Sequence, residues 1–401
     1  MSKLIYLDNN ATTKIDEKVL EAMMPYFKEE YANPSSMYDF SIKPAHAIKE
    51  ARRKLKDFLG AKNEKEIIFT SCGSESANTA IRGYLSTVKN KKHIITTKVE
   101  HPCVLNVYKY LEKNGYKVDY IGVNSNGELD LTELENAITP DTALVSVMFA
   151  NNETGILNPI KKISEIIKNK NPETKFYVDA VQAAGKVPIN VEDLGIDMLG
   201  ISGHKFHAPK GVGVLYVNSK TMISPLIIGG HQERGKRAGT ENVPYIVGIG
   251  KAAELAADNL EYENTEIARL RDKLEKGIVQ KVYNARINTG LAARVPNTTN
   301  IGFEYIEGEL ILLHLSDLGI CASSGSACTS GSLEPSHVLR AMNVPFTSLH
   351  GSVRFSLSRF TTEAEIDYVL DKLPAAIEEI RKISPYQKEL QALKEMKTAN
   401  V

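Results

Sequence analysis

Apolar positions fall into two alternating patterns from about residue 45 to about residue 220. "AHAIKEARRKLKDFLG" repeats its apolar residues at helical spacing and ends on Gly60, a glycine C-cap. The β-rich run "EIIFTS" follows, then the helix-like "SESANTAIRGYL". Strand candidates "HIITT", "KVDYIGV", "TALVSVMFA", "KFYVDA", "IDMLGIS" and "GVGVLYV" continue the series. "HPCVLNVYKYLEKNG", "LTELENAI" and "PIKKISEIIKNK" stand between them as helices. Runs that are apolar on both faces, separated by helices, predict a mostly parallel sheet covered on both sides, an α/β fold. Ligands of such sheets gather at the carboxyl ends of the strands.

Beyond about residue 240 helical patterns dominate, with strands predicted at "TTNIGFE" and "SVRFSLS" and a helix over "EAEIDYVLDKLPAAIEEIRKI". This change predicts a smaller α+β domain. The expected division is 15–258 for the large domain and 1–14 with 259–401 for the small one. The closing "QKELQALKEMKTANV" reads as a helical tail, and "EPSHVLRAM" as a helix start.

Composition narrows the function. Lys+Arg and Asp+Glu both number 49, so no excess charge points to nucleic acid or an acidic membrane surface. The start "MSKLIYLDNNATT" lacks a signal-peptide layout, and no apolar run approaches the roughly 18 residues of a membrane span. Cys72, Cys103, Cys321 and Cys328 are too few and too irregular for a disulfide framework or zinc ribbon, so reduced thiols in the cytoplasm are expected.

Several polar residues directly follow the predicted strands. In "ISGHKFHAPKG", Lys205 stands between His204 and His207 at a strand end facing a crevice. A lysine partly desolvated there is suited to a Schiff base with an aldehyde. Asp179 closes "KFYVDA". It is read either as an N-cap or as the carboxylate that keeps a pyridine nitrogen protonated, with Gln182 in reach of the same ring. "TSCGSESAN" places Gly73 and Ser74 at a helix N-terminus, an anion site to which Ser202 and His204 add donors. His101 in "VEHPCV" and Asn152 in "FANNETG" close two further strands. Arg354 in "VRFSLSRF" needs an anionic partner, either a substrate carboxylate or an internal salt bridge. Cys328 lies in "ASSGSACTSGSLEPS", among small residues with nothing large enough to bury a thiol.

Together these segments resemble the cysteine desulfurases of the NifS/IscS branch, in the class V aminotransferase family of fold-type I pyridoxal-phosphate (PLP) enzymes. The resemblance runs nearly end to end through "YLDNNATT", "ANPSS", "TSCGSESAN", "VEHPCV", "ANNETG", "VDAVQAAGKVPI", "SGHKFHAPKGVGVLY", "GGHQERGKRAGTEN", "VPNTTNIGFEYIEGE", "ASSGSACTSGSLEPSHVLRAM" and "VRFSLSRFTTEAEID". "TSCGSES" and "SHVLRAMNVPFTSLHGSVRFSLSRF" are nearest the nitrogen-fixation type.

The resemblance implies a seven-stranded sheet and PLP held as an aldimine on Lys205. His101 then stacks on the ring and serves catalysis, Asp179 pairs with the pyridinium, and Gln182 meets the phenolic oxygen. Gly73, Ser74, Ser202 and His204 contact the phosphate, joined by Thr240 of the other subunit of a homodimer. Asn152 and Arg354 orient the substrate L-cysteine, and Asn152 also borders the cofactor. Cys328 takes the sulfur as a persulfide, is a candidate transient iron–sulfur ligand through it, and passes sulfur to an iron–sulfur scaffold protein. Ser74 stands where the family usually has Thr, and Ala32 and Tyr38 where Gly and His are common. The rival readings are a selenocysteine lyase or aminotransferase of the same fold, and a metallothiol protein built on Cys321 and Cys328.

Overall fold

A computed structural model describes residues 4–324, 335–386 and 389. The chain opens with a short strand, β1 (Ile5–Tyr6), and then builds seven strands that form one sheet. These are β2 (Ile67–Thr70), β3 (His93–Thr97), β4 (Lys117–Ile121), β5 (Thr142–Met148), β6 (Lys175–Asp179), β7 (Met198–Ser202) and β8 (Gly213–Val217). Their order across the sheet is β2-β8-β7-β6-β5-β3-β4. The pairs from β7 to β4 are parallel, whereas β8 runs antiparallel to both β2 and β7. Every residue of β2, β3, β5, β7 and β8 is buried, as continuous apolar runs predict for a sheet with helices on both faces.

Local sequence explains the element ends. The helix Ile42–Leu59 stops at Gly60, whose φ of 66° is left-handed and whose N–H returns to the carbonyls of Lys56 and Asp57. Asp130 and Thr362 cap the helices Leu131–Ala137 and Glu363–Ile383 through their side chains.

A second sheet follows, ordered β12-β13-β10-β9, from β9 (Ala285–Ile287), β10 (Thr298–Phe303), β12 (Ser323–Ser324) and β13 (Ser352–Ser356). Between its strands lies β11 (Ile320–Cys321), which pairs in parallel with β1. Ile5 and Leu7 are buried in the same apolar cluster as the helices Ala268–Lys281 and Glu363–Ile383. The N-terminal segment thus runs from this second cluster across to the carboxyl ends of the large sheet. Cys328 and the tail, Glu389 apart, lie outside the described residues.

Candidate active site

A cavity of about 540 Å³ opens where β6 and β7 end. Its wall includes Gly73, Ser74, His101, Asn152, Asp179, Gln182, Ser202, His204, Lys205 and Arg354. Ten of the residues singled out in the sequence therefore meet at one place. Thr240 does not join them. It borders a separate hollow of about 250 Å³ with Glu233 and Arg237.

Lys205 ends a single 3₁₀ turn, Gly203–Lys205, directly after β7. Its Nζ donates to the backbone carbonyls of Asn10 (2.5 Å) and Ala11 (2.8 Å). The N-terminal segment thereby aims the amine through two backbone carbonyls. His204 accepts or donates through Nδ1 to the Thr12 hydroxyl, and burial, reinforced by Lys205 and Lys210, pushes its pKa down to about 4.

Asp179 is buried at the last position of β6. Oδ1 accepts the Val181 N–H at 3.0 Å in a turn that does not continue as a helix, and the Cys103 thiol donates to Oδ2 at 3.8 Å. Asp179 thus caps a turn, as the first sequence reading expects, and also lines the cavity. Burial raises its pKa, opposed first by His101. His101 itself caps the helix Pro102–Lys113, its Nδ1 accepting the Cys103 N–H at 3.2 Å. Burial lowers its pKa, and a neutral ring that accepts at Nδ1 carries its proton on Nε2.

Arg354 lies in β13, opposite Asn300 and Ser323. Its Nη1 donates to the Asn152 carbonyl at 2.8 Å, and its Nη2 pairs with Asp8 at 2.7 Å. The internal salt bridge therefore exists, and it exists in the cavity wall. Asp8, like Asn10, carried no local signal in the sequence: each acts on a residue more than 190 positions away.

The donor set fits PLP. The helix Gly73–Leu85 presents its free N–H groups and Ser74 to the cavity, as a phosphate requires. A Cβ on Gly73 would lie 2.8 Å from Val181 Cγ2, so the approach is already close. Gln182 donates from Nε2 to the Asn10 carbonyl, while its buried Oε1 has no partner among the described residues. One end of a cavity-lining amide is thus an acceptor suited to a polar group of the cofactor. No group of three or more metal-type ligands occurs among the described residues, and none of their helices is long and apolar enough to cross a membrane.

Residues 5–369 match the model of the Aminotransferase class-V family. The chain belongs to that family. A "Cysteine desulfurase" of Nostoc sp. is 58% identical over 96% of this chain and 95% of its own length. "Cysteine desulfurase NifS" of Azotobacter vinelandii is 53% identical over 95% of this chain and 94% of its own. Among solved structures, a "NIFS-LIKE PROTEIN" superposes with a TM-score of 0.89 at 42% identity, covering 94% of this chain and all (100%) of that one. "SspA in complex with cysteine" gives 0.79 at 36% identity, covering 89% of this chain and 100% of its own.

Proposed function

We infer that this protein is a PLP-dependent cysteine desulfurase that converts L-cysteine to L-alanine and retains the sulfur on Cys328. The observation that carries the reading is the meeting of Lys205, Asp179 and Arg354 in one cavity: an amine for the aldehyde, a carboxylate for the ring nitrogen and a guanidinium for the substrate. Relatives named cysteine desulfurase, similar over nearly the whole chain, support it.

Bound through Lys205, PLP supplies an electron sink for charge developing at the substrate Cα. The chain's own residues do the rest. Asp179 holds the ring-nitrogen proton, and Gly73, Ser74, Ser202 and His204 hold the phosphate, with Thr240 reaching in from a second copy of the chain. Arg354 and Asn152 orient the substrate carboxylate, which competes with Asp8 for the guanidinium. Once released by the incoming amine, Lys205 takes the Cα proton. His101 moves protons at Nε2 beside it.

Cys328 must arrive as a thiolate, the reactive form. It attacks the substrate sulfur: an S–S bond forms as the Cβ–S bond breaks, and the electron pair stays with carbon. Protonation of that carbon completes the alanine methyl group. The persulfide then passes to an iron–sulfur scaffold protein in the cytoplasm, with Cys328 a candidate transient cluster ligand in the transfer; nitrogenase maturation is one such destination. In this reading residues 15–258 form the cofactor domain, and 1–14 with 259–401 the domain bearing Cys328.

The test is to follow alanine from cysteine, and from selenocysteine, with purified yellow holoenzyme. Alanine from cysteine with sulfur held on the protein is expected. Alanine from selenocysteine alone would favour the lyase reading.

A further inference from the structure

Next to Lys205, but not in the cavity wall, lies a second lysine that no step above uses. Lys186 is 6% exposed, and its Nζ donates to the Lys205 carbonyl at 3.4 Å. Glu263, also 6% exposed, shares with it a crevice of about 10 Å³, room for no more than one water molecule. Lys205, His207 and Arg359 border the same crevice. It is too small for a substrate, so these charges act on the protein itself.

The chain is shaped to bring them together. Gly185 has φ +75°, and a Cβ there would lie 3.0 Å from Phe206 Cβ and 3.2 Å from Ala256 Cβ. Residues 185–186 therefore press against the segment that carries Lys205. From the other side, Glu263 opens a π-helical turn, Glu263–Ile267. The next residue, Asn264, donates from Nδ2 to the Lys186 carbonyl at 2.8 Å. Lys186 is thus gripped at its backbone by one residue of that turn and faced at its side chain by another. Such turns inside helices are frequent at functional sites.

Burial lowers the Lys186 pKa to about 8, with Glu263 opposing the shift and Lys205 and Arg354 adding to it. Burial raises that of Glu263, against the attraction of Lys186 and Arg359. Burying a cation costs free energy that simple packing does not require.

We propose that Lys186 is a positioning residue for Lys205: it fixes the Lys205 backbone and places a positive charge near its amine. This deepens the function proposed above and rests on Lys205 carrying the cofactor. Asp179 favours a proton on the nitrogen that Lys205 shares with the cofactor, whereas the Arg354 guanidinium opposes it, as do His101 and His204 when cationic. Lys186 adds to the opposition from outside the cavity wall. A neighbouring cation disfavours such a proton, so removing Lys186 raises the pKa of that nitrogen. Lys186 is the member of the pair that touches Lys205, so the sign holds whether or not Glu263 stays ionised.

The experiment is a pH titration of the visible absorbance of holo-protein for wild type, Lys186→Met, Lys186→Gln and Lys186→Arg, with melting temperatures of each apo-protein alongside. Met and Gln are expected to raise the chromophore pKa by about half a unit or more, with Arg returning it toward wild type. Gln keeps a donor for the Lys205 carbonyl, so it serves if Met fails to fold. An unchanged chromophore pKa in Met and Gln variants, with only melting temperature reduced, would overturn the proposal. Wild type that binds no PLP at Lys205 would instead remove the proposed function, and this inference with it.

Discussion

The helix Gly73–Leu85 borders two regions with opposite designs. Its first residues, Gly73 and Ser74, face a cavity whose polar groups converge inward. The next residue, Glu75, turns to Arg237 at 2.9 Å and so fastens the loop that carries Thr240. That loop is costly to hold. Glu233 and Arg234 both take positive φ (46° and 59°), and Glu233 makes a buried two-pronged pair with Arg52 at 2.7 Å. Strain of this kind persists only where the surroundings impose it. The cavity gathers Gly73, Ser74, Ser202 and His204 without Thr240, whereas the loop that carries Thr240 borders a separate hollow. Under the proposed function the two regions meet only between copies, the loop of one chain serving the cavity of a second.

The predictions test that contrast from the largest effect to the smallest. Lys205→Ala removes the group to which the cofactor attaches, so alanine production falls below detection. Borohydride followed by peptide mass mapping, which marks Lys205 in wild type, then marks nothing. Asp179→Asn keeps shape but loses the counter-charge; kcat falls by about 10²–10⁴-fold while PLP still binds, as absorbance and turnover together reveal.

Thr240→Ala costs one charged hydrogen bond, about 1.5–3 kcal/mol, and weakens PLP retention by roughly tenfold or more, measured by cofactor release on dilution. Mixing the Thr240→Ala and Lys205→Ala chains sharpens the contrast. In the mixed dimer the intact Lys205 site receives its loop from the chain that still has Thr240, so that site retains PLP like wild type. If retention instead follows the Thr240 of the same chain, the loop does not act in trans.

Asp8→Asn frees Arg354 from its carboxylate competitor, so KM for cysteine falls a few-fold with kcat little changed. Steady-state kinetics show the split.

A further effect falls on stability alone and concerns Glu100, buried beside His101. It accepts the Thr97 hydroxyl and Met148 N–H on one oxygen, and burial pushes its pKa up to about 8. The folded state therefore binds a proton that the unfolded state releases above about pH 4.5. Stability from this group is full below that pH and is lost as pH rises toward 8. Glu100→Gln should gain melting temperature relative to wild type at about pH 8.5 compared with about pH 5.5.

Much of this molecule was legible in its sequence. The seven strands and their intervening helices stand where continuous apolar runs and helical periodicity predicted them, because burial on both faces leaves a local mark. Lys205, Asp179, His101 and Gly73 were readable because each stands at or within a few residues of the end of such a run. The antiparallel course of β8 was not, since periodicity carries no direction. Nor were the Asn10 and Ala11 carbonyls that aim Lys205, because a backbone acceptor leaves no trace in residue type. Asp8 and Cys103 were missed for another reason: their partners, Arg354 and Asp179, lie 346 and 76 positions away. The N-terminal segment acts on the site only through such distant pairings.

The central claim is that the cavity cleaves the carbon–sulfur bond of cysteine and that one named thiol receives the sulfur. Holo-protein given one equivalent of L-cysteine, then alkylated and mapped by mass spectrometry, tests it directly. The expected result is one alanine per sulfur gained, with the extra sulfur on the peptide containing Cys328 and none on it in Cys328→Ala. Sulfur on Cys72, Cys103 or Cys321, or alanine formed at the wild-type rate by Cys328→Ala, would contradict it.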